Sequence, residues 1–161
     1  MHPRLAQLRF AARVAPRLLD RRQRLLWQEM RLFCRSLPAA LEGPLPEALA
    51  KLSAKQPDDS LPRWANEQMV RQLADLAVLV EHKTGLGICL RRSLTRYHFL
   101  HRLNLPLVVH FGARLDGPRR QRNVSGHAWL TLDDMPYHEP SENYRGFAVM
   151  YTWPEGARAT T

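Results

Sequence analysis

The chain has 161 residues, 45% of them hydrophobic, and a net charge of +9. That is enough for one domain with its own core, and too apolar for disorder throughout. Apolar runs stop short of a secretory core or of the ~18 residues of a membrane span, and two cysteines, Cys34 and Cys89, do not make a secreted disulfide framework.

The expected setting is therefore cytoplasmic, with reduced thiols. The charge is concentrated at one end. Residues 1–35 hold nine Arg against Asp20 and Glu29, whereas the rest of the chain holds 15 basic and 13 acidic groups. Such an arm suits an acidic partner, a nucleic acid or a solvated helix face. No nucleic-acid recognition motif accompanies it, so nucleic acid is not an expected partner.

Residues 4–15 read as a short helix ending at Pro16. Asp20 is a carboxylate N-cap with Gln23 three positions on. Behind it Leu26, Met30, Phe33 and Leu37 recur at helical spacing, with Cys34 packed beside that face. Five prolines, Pro38, Pro44, Pro46, Pro57 and Pro62, mark 38–62 as a loop holding one short helix at 47–53. A second long helix is expected over 64–82, burying Met69, Leu73, Leu76, Ala77 and Val80. Gly85 and Gly87 end it. A third opens at Cys89, carries Leu90, Leu94, Tyr97 and His101 on one face, and closes at Asn104–Leu105–Pro106.

After Pro106 the period changes from 3.6 to 2. Strands are expected over 107–113, 127–133, 135–139 and 144–153. A polar basic loop at 115–126 separates the first two, and a turn at Asp133–Asp134 separates the second and third. Phe147, Val149, Tyr151 and Trp153 share a face of the fourth. The fold class is α+β, N-terminal helices followed by an antiparallel sheet of about four strands. An Arg-rich helical region with a Pro-rich linker takes up 1–63, and 155–161 reads as a flexible tail.

"GICLRRSL" places Cys89 where a helix begins. Unbonded backbone N–H groups at a helix N-terminus favour a thiolate. Arg91 and Arg92 add positive charge in the first turn, and the Cys89 N–H can face an oxyanion. Gly87 allows a substrate backbone to approach. A thiol nucleophile also needs a base and a group that orients the base. His98 and His101 share the helix of Cys89 but lie roughly 13 and 18 Å along its axis, too far to serve. His127 opens a strand after Gly126, where a loop meets the sheet. Asp133 lies about 20 Å along the same strand.

A three-residue hairpin loop at 132–134 would put Glu139 opposite His127, with Cβ atoms about 5 Å apart. A two-residue loop would turn Glu139 to the other face. His138 points away from the Glu139 face, so Cys89, His127 and His138 do not converge on a metal, and no ligand pair has zinc-site spacing. These residues alone leave two readings open. One is a Cys89–His127–Glu139 triad. The other is a buried thiol, a satisfied strand histidine and a surface glutamate.

"GICLRRSL" and "GHAWLTLDDMPYHEP" together resemble the papain-like, transglutaminase-type fold, and more closely the stand-alone leader peptidases of lasso-peptide biosynthesis. Cys89, Leu90, Arg92, Ser93 and Leu94 match that family's nucleophile stretch, and His127, Ala128 and Trp129 match its His-Ala-Trp strand. Its acidic residue falls about where Glu139 stands, with Asp134 as the fallback. The resemblance covers roughly 65–154 and implies a cysteine peptidase core over 64–154. It implies Cys89 as nucleophile, His127 as base and Glu139 as orienter, with no metal or cofactor. Trp129, Gly87 and Gly126 are candidate substrate contacts. The implied substrate is a ribosomally made precursor peptide, leader and core. The implied partners are a separate leader-recognition protein and an ATP-dependent cyclase. A relative that resolves the thioester with an amine, as transglutaminases do, is the nearest alternative. A non-enzymatic basic helical binding module is a more distant one.

Overall fold

The computed structural model describes residues 3–53, 60–117 and 123–156. Helix α1 (Pro3–Val14) runs into a 3-10 turn at Ala15–Leu19, and α2 follows over Arg21–Ala40. The Asp20 carboxylate accepts from the backbone N–H groups of Arg22 and Gln23, so the expected cap is formed. Leu26, Met30, Cys34 and Leu37 are the buried stripe of α2. The helix does not stop at Pro38 as expected. It continues to Ala40, because a proline in the last turn forfeits one ladder bond and the turn is closed by Leu41 N–H to Leu37 C=O at 2.9 Å.

Helix α3 covers Leu45–Ser53, while the part of the expected loop at 54–59 lies outside the described residues. Helix α4 is shorter than expected, Glu67–Val80. It starts where the Asn66 side chain accepts from the Met69 N–H. Four of its five expected core residues are buried, but Val80, at the final turn, is 42% exposed. It borders a groove against α1.

Helix α5 (Ile88–His101) is the centre of the molecule. It packs on α4, on α2 and α3, and on the first two strands. Polar residues are buried on it as well as apolar ones: Arg91, Ser93, Thr95 and Arg96 beside Leu94, Tyr97, Phe99 and Leu100. Burying a charged group is costly without a partner. Arg96 has one, a two-point contact with Asp75 at 2.7 Å for each bond.

The sheet has four antiparallel strands in the order β3-β2-β1-β4: β1 Leu107–Asp116, β2 Asn123–Leu132, β3 Met135–Pro136 and β4 Ala148–Trp153. The architecture is thus α+β, with a short helix α6 (Ser141–Tyr144) between β3 and β4. Strands β1 and β2 reach into the stretch expected as loop, pairing as far as Asp116↔Asn123, while 118–122 lie outside the described residues. The expected strand at 135–139 shrinks to two residues, and the fourth, expected from 144, begins only at Ala148, with Tyr144 in a short helix. The third strand is short for a visible reason. Asp133 and Asp134 both have positive φ, 49° and 63°, which makes a tight two-residue turn, and His138 at φ 49° leaves the extended region again. One core runs from Val14, Met30 and Leu49 through Leu73 and Leu100 to Val109 and Leu130. No helix among the described residues is long and apolar enough to cross a membrane.

Candidate active site

Cys89 is the second residue of α5. Gly87 is its N-cap, and the helical ladder begins at Arg91 N–H to Gly87 C=O, 3.1 Å. The N–H of Cys89 therefore stands outside the ladder of its own helix. Gly87 has an ordinary φ of −57°. A Cβ there would make ordinary van der Waals contact with the Cys89 Sγ, at 3.7 Å.

Arg91 does not flank the thiol as the sequence suggests. It is buried, and its guanidinium donates to the carbonyls of Val78 (2.9 Å), Glu81 (2.6 Å) and Leu86 (3.1 Å). This ties the end of α4 and the loop before Cys89 to the start of α5. The same loop is held from outside. The Glu81 carboxylate meets Arg31 and Arg35 of α2, and those contacts, that with Arg35 foremost, hold its pKa below the ordinary value.

His127 comes to Cys89 on β2. Ser93, one turn beyond Cys89, donates its hydroxyl to the Ala128 carbonyl at 2.9 Å in a buried contact. That bond fixes the start of α5 on β2. A cavity of ≈ 330 Å³ opens at the junction, and both Cys89 and His127 line it. Gly87 and Gly126 are on its wall, where Gly126 has open space beside it, and Leu90, Phe111 and Ala128 make it largely apolar. Trp129 is 5% exposed and lies behind this wall. Its ring stacks on His127 (centroids 5.8 Å apart), on His110 (5.4 Å) and on Tyr144 (6.0 Å). Phe147 covers His127 from another side at 5.3 Å. Gly112, paired with His127 across the ladder, is required by this packing, because a Cβ there would sit 2.8 Å from the Trp129 ring.

Glu139 meets His127, but not through the expected register. Thr131↔Pro136 and Leu132↔Met135 are paired around a two-residue turn, and Tyr137 N–H donates to Leu130 C=O at 2.8 Å. On a regular strand this would carry Glu139 to the opposite face. The left-handed backbone at His138 breaks the alternation, so Glu139 arrives at the histidine after all. Its Oε1 is 3.4 Å from His127 Nε2, an ion-pair distance longer than a hydrogen bond. The carboxylate is 2% exposed and is held at both oxygens. Arg92 donates to Oε2 and Asn143 to Oε1, each at 2.8 Å. Sequence spacing does not disclose Arg92 or Asn143 as partners of Glu139. The conjunction depends on the packing of α5 and α6 on either side of one side chain.

Burial pushes the His127 imidazole below its ordinary value; the Glu139 charge pulls it up, and Arg92 and Arg114 push it down. The other histidines are engaged elsewhere. His98 contacts the Leu52 carbonyl and stacks on Phe33, and His101 stacks on Tyr97. His138 is exposed, edge-on to Tyr137. Asp134 lies exposed in the β2–β3 turn, where its charge acts on His110. His2 lies outside the described residues. No cluster of metal-ligating side chains is found among the described residues.

A thiol at a helix N-terminus sharing a cavity with an imidazole that faces a carboxylate is suited to acyl transfer through a thioester. The family comparison points the same way. The model of the transglutaminase-like superfamily matches residues 28–152, and the chain belongs to that superfamily, which includes cysteine proteases and acyltransferases. No curated protein and no solved structure matches the chain.

Proposed function

We propose that this protein is a cysteine peptidase that removes the leader from a ribosomally synthesised lasso-peptide precursor. The observation that carries the chemistry is the shared cavity of Cys89 and His127, with Glu139 3.4 Å behind the imidazole. The assignment of the leader rests on the motif resemblance around Cys89 and His127. Nε2 faces Glu139, which leaves Nδ1 as the nitrogen for the thiol proton. The Cys89 sulfur forms a bond to the scissile carbonyl carbon as that proton passes to His127. The amide C–N bond then breaks, and the imidazolium gives its proton to the departing amine. Water, deprotonated by His127, attacks the thioester. The C–S bond breaks, releasing the leader carboxylate and restoring the thiol.

The core peptide leaves with a free N-terminal amine, the group that an ATP-dependent cyclase would join to a side-chain carboxylate. A separate leader-recognition protein presents the substrate, and Gly87 and Gly126 give its backbone room at the cavity wall. Mass spectrometry of a cognate precursor incubated with the protein and its recognition partner tests this reading. Two fragments whose masses sum to precursor plus water are expected. A product in which the acyl group is joined to an amine would instead establish an acyltransferase, and an intact precursor would reject both.

A further inference from the structure

We propose that Arg92 is a positioning residue of this site, holding Oε2 of Glu139 so that Oε1 remains on His127. The inference rests on the Cys89–His127–Glu139 reading and extends it to the residue that governs the carboxylate. Four observations converge on it. Arg92 lies three residues beyond Cys89, on the same helix, and reaches across to a carboxylate on another element at 2.8 Å. That carboxylate is almost wholly buried, where an uncompensated charge is costly. The Arg92 Nε is buried without a partner of its own, so the contact with Glu139 is the polar contact found for this guanidinium. Finally, Arg92 does not line the cavity shared by Cys89 and His127. It can act on the imidazole only through Glu139 or through its charge.

The charges around the pair fix the sign of the effect. Glu139 is faced by Arg92 from α5, by the neutral amide of Asn143 from α6 and by His127 from β2. His127 is faced in turn by Glu139, Arg92 and Arg114, with the rings of Trp129 and Phe147 against it and Cys89 across the cavity. With Arg92 present, the carboxylate charge is shared between guanidinium and imidazole. Without it, His127 alone answers that charge, so the imidazole binds its proton more tightly and loses its fixed orientation.

Arg92 has a second face. It lines a cavity of ≈ 260 Å³ between α1, α4 and the start of α5, with Phe10, Val78 and Ile88 among its walls. A small solute can therefore reach the space that a truncated side chain would vacate.

The test needs no peptide substrate. The His127 imidazole resonance, assigned by its loss in His127→Gln, is titrated in the wild type, Arg92→Met and Arg92→Lys. Iodoacetamide labelling of Cys89 is timed in the same proteins, with the buried Cys34 as the unreactive control. The inference expects the His127 midpoint to move upward in Arg92→Met and to stay near the wild-type position in Arg92→Lys. Labelling of Cys89 in Arg92→Met should slow by about tenfold to a hundredfold, the scale of losing ångström-level positioning. Added guanidinium should restore much of the rate in Arg92→Ala. An unmoved or lowered midpoint in a folded Arg92→Met overturns the inference, as does a labelling rate equal to wild type. Misfolding of Arg92→Met leaves the rescue of Arg92→Ala to decide, and failure of rescue counts against it. If wild-type Cys89 reacts no faster than Cys34, the reading of the site fails rather than the role of Arg92.

Discussion

The two cysteines of this chain stand in opposite surroundings. Cys34 is in the middle of α2, fully buried, with the Thr95 hydroxyl 3.7 Å from its sulfur. Burial there pushes its thiol above the ordinary value. Cys89 stands at the start of α5, half-buried, on a cavity that it shares with an imidazole. The sheet repeats the contrast. His110 and His127 both stack on Trp129, yet His110 is sealed against Thr131 at 2.9 Å while His127 faces a carboxylate and the cavity. Identical side chains thus differ in what they face: a sealed core in one case, a cavity and a charged partner in the other. A thiol in a dry core is inert, and the same thiol at a helix N-terminus beside a base is not.

The largest effect expected to separate the two regions is on turnover. Cys89→Ala should abolish precursor cleavage with little change in melting temperature. Cys34→Ala should keep the activity and cost about 1 kcal/mol of stability, the scale of a small core cavity. Loss of activity in both variants, measured beside their thermal melts, would erase the contrast. Next comes the histidine pair. His127→Ala should lower the rate by about 10²–10⁴-fold, the usual contribution of a general base, whereas His110→Ala should chiefly lower the melting temperature.

Between the two histidines lies Gly112, and Gly112→Ala pushes a methyl into the Trp129 ring. It should destabilise by about 1–3 kcal/mol, as overpacking does, and be read by chemical denaturation. The smallest effect is on pH. Burial lowers the imidazoles of His110, His127 and His138 from the ordinary 6.5. The unfolded chain then binds more protons than the folded one as pH falls below 6.5. Stability should be complete above that point and decline on acidification. Substituting His110 by Gln should flatten part of the decline, and a pH series of melts checks it.

What could be read from the sequence follows the range of the interactions. The Asp20 cap, the helix opening at Cys89 and the strand carrying His127 depend on neighbours a few residues away, and all are present. Glu139 is legible from the spacing, but its route to the imidazole is not. The hairpin turn is one residue shorter than the pairing of His127 with Glu139 needs, and the left-handed backbone at His138 restores the meeting. A histidine in that conformation leaves no mark on a hydrophobic pattern. Arg91, Arg92 and Asn143 were hidden for a different reason. Spacing places Arg91 and Arg92 in the first turn of α5 as general positive charge, but only packing decides that one caps the end of α4 and the other holds Glu139. Pro38 misleads because a break is the usual effect of proline, and the last turn of a helix is where it costs least.

The proposed function requires one thiol to be activated and the other not. Limiting iodoacetamide on the native protein, followed by peptide mass mapping, measures that directly. The account predicts carboxamidomethyl label at Cys89, none at Cys34, and slower labelling of Cys89 in His127→Ala. Equal labelling of the two thiols, or a Cys89 rate indifferent to the loss of His127, would contradict it.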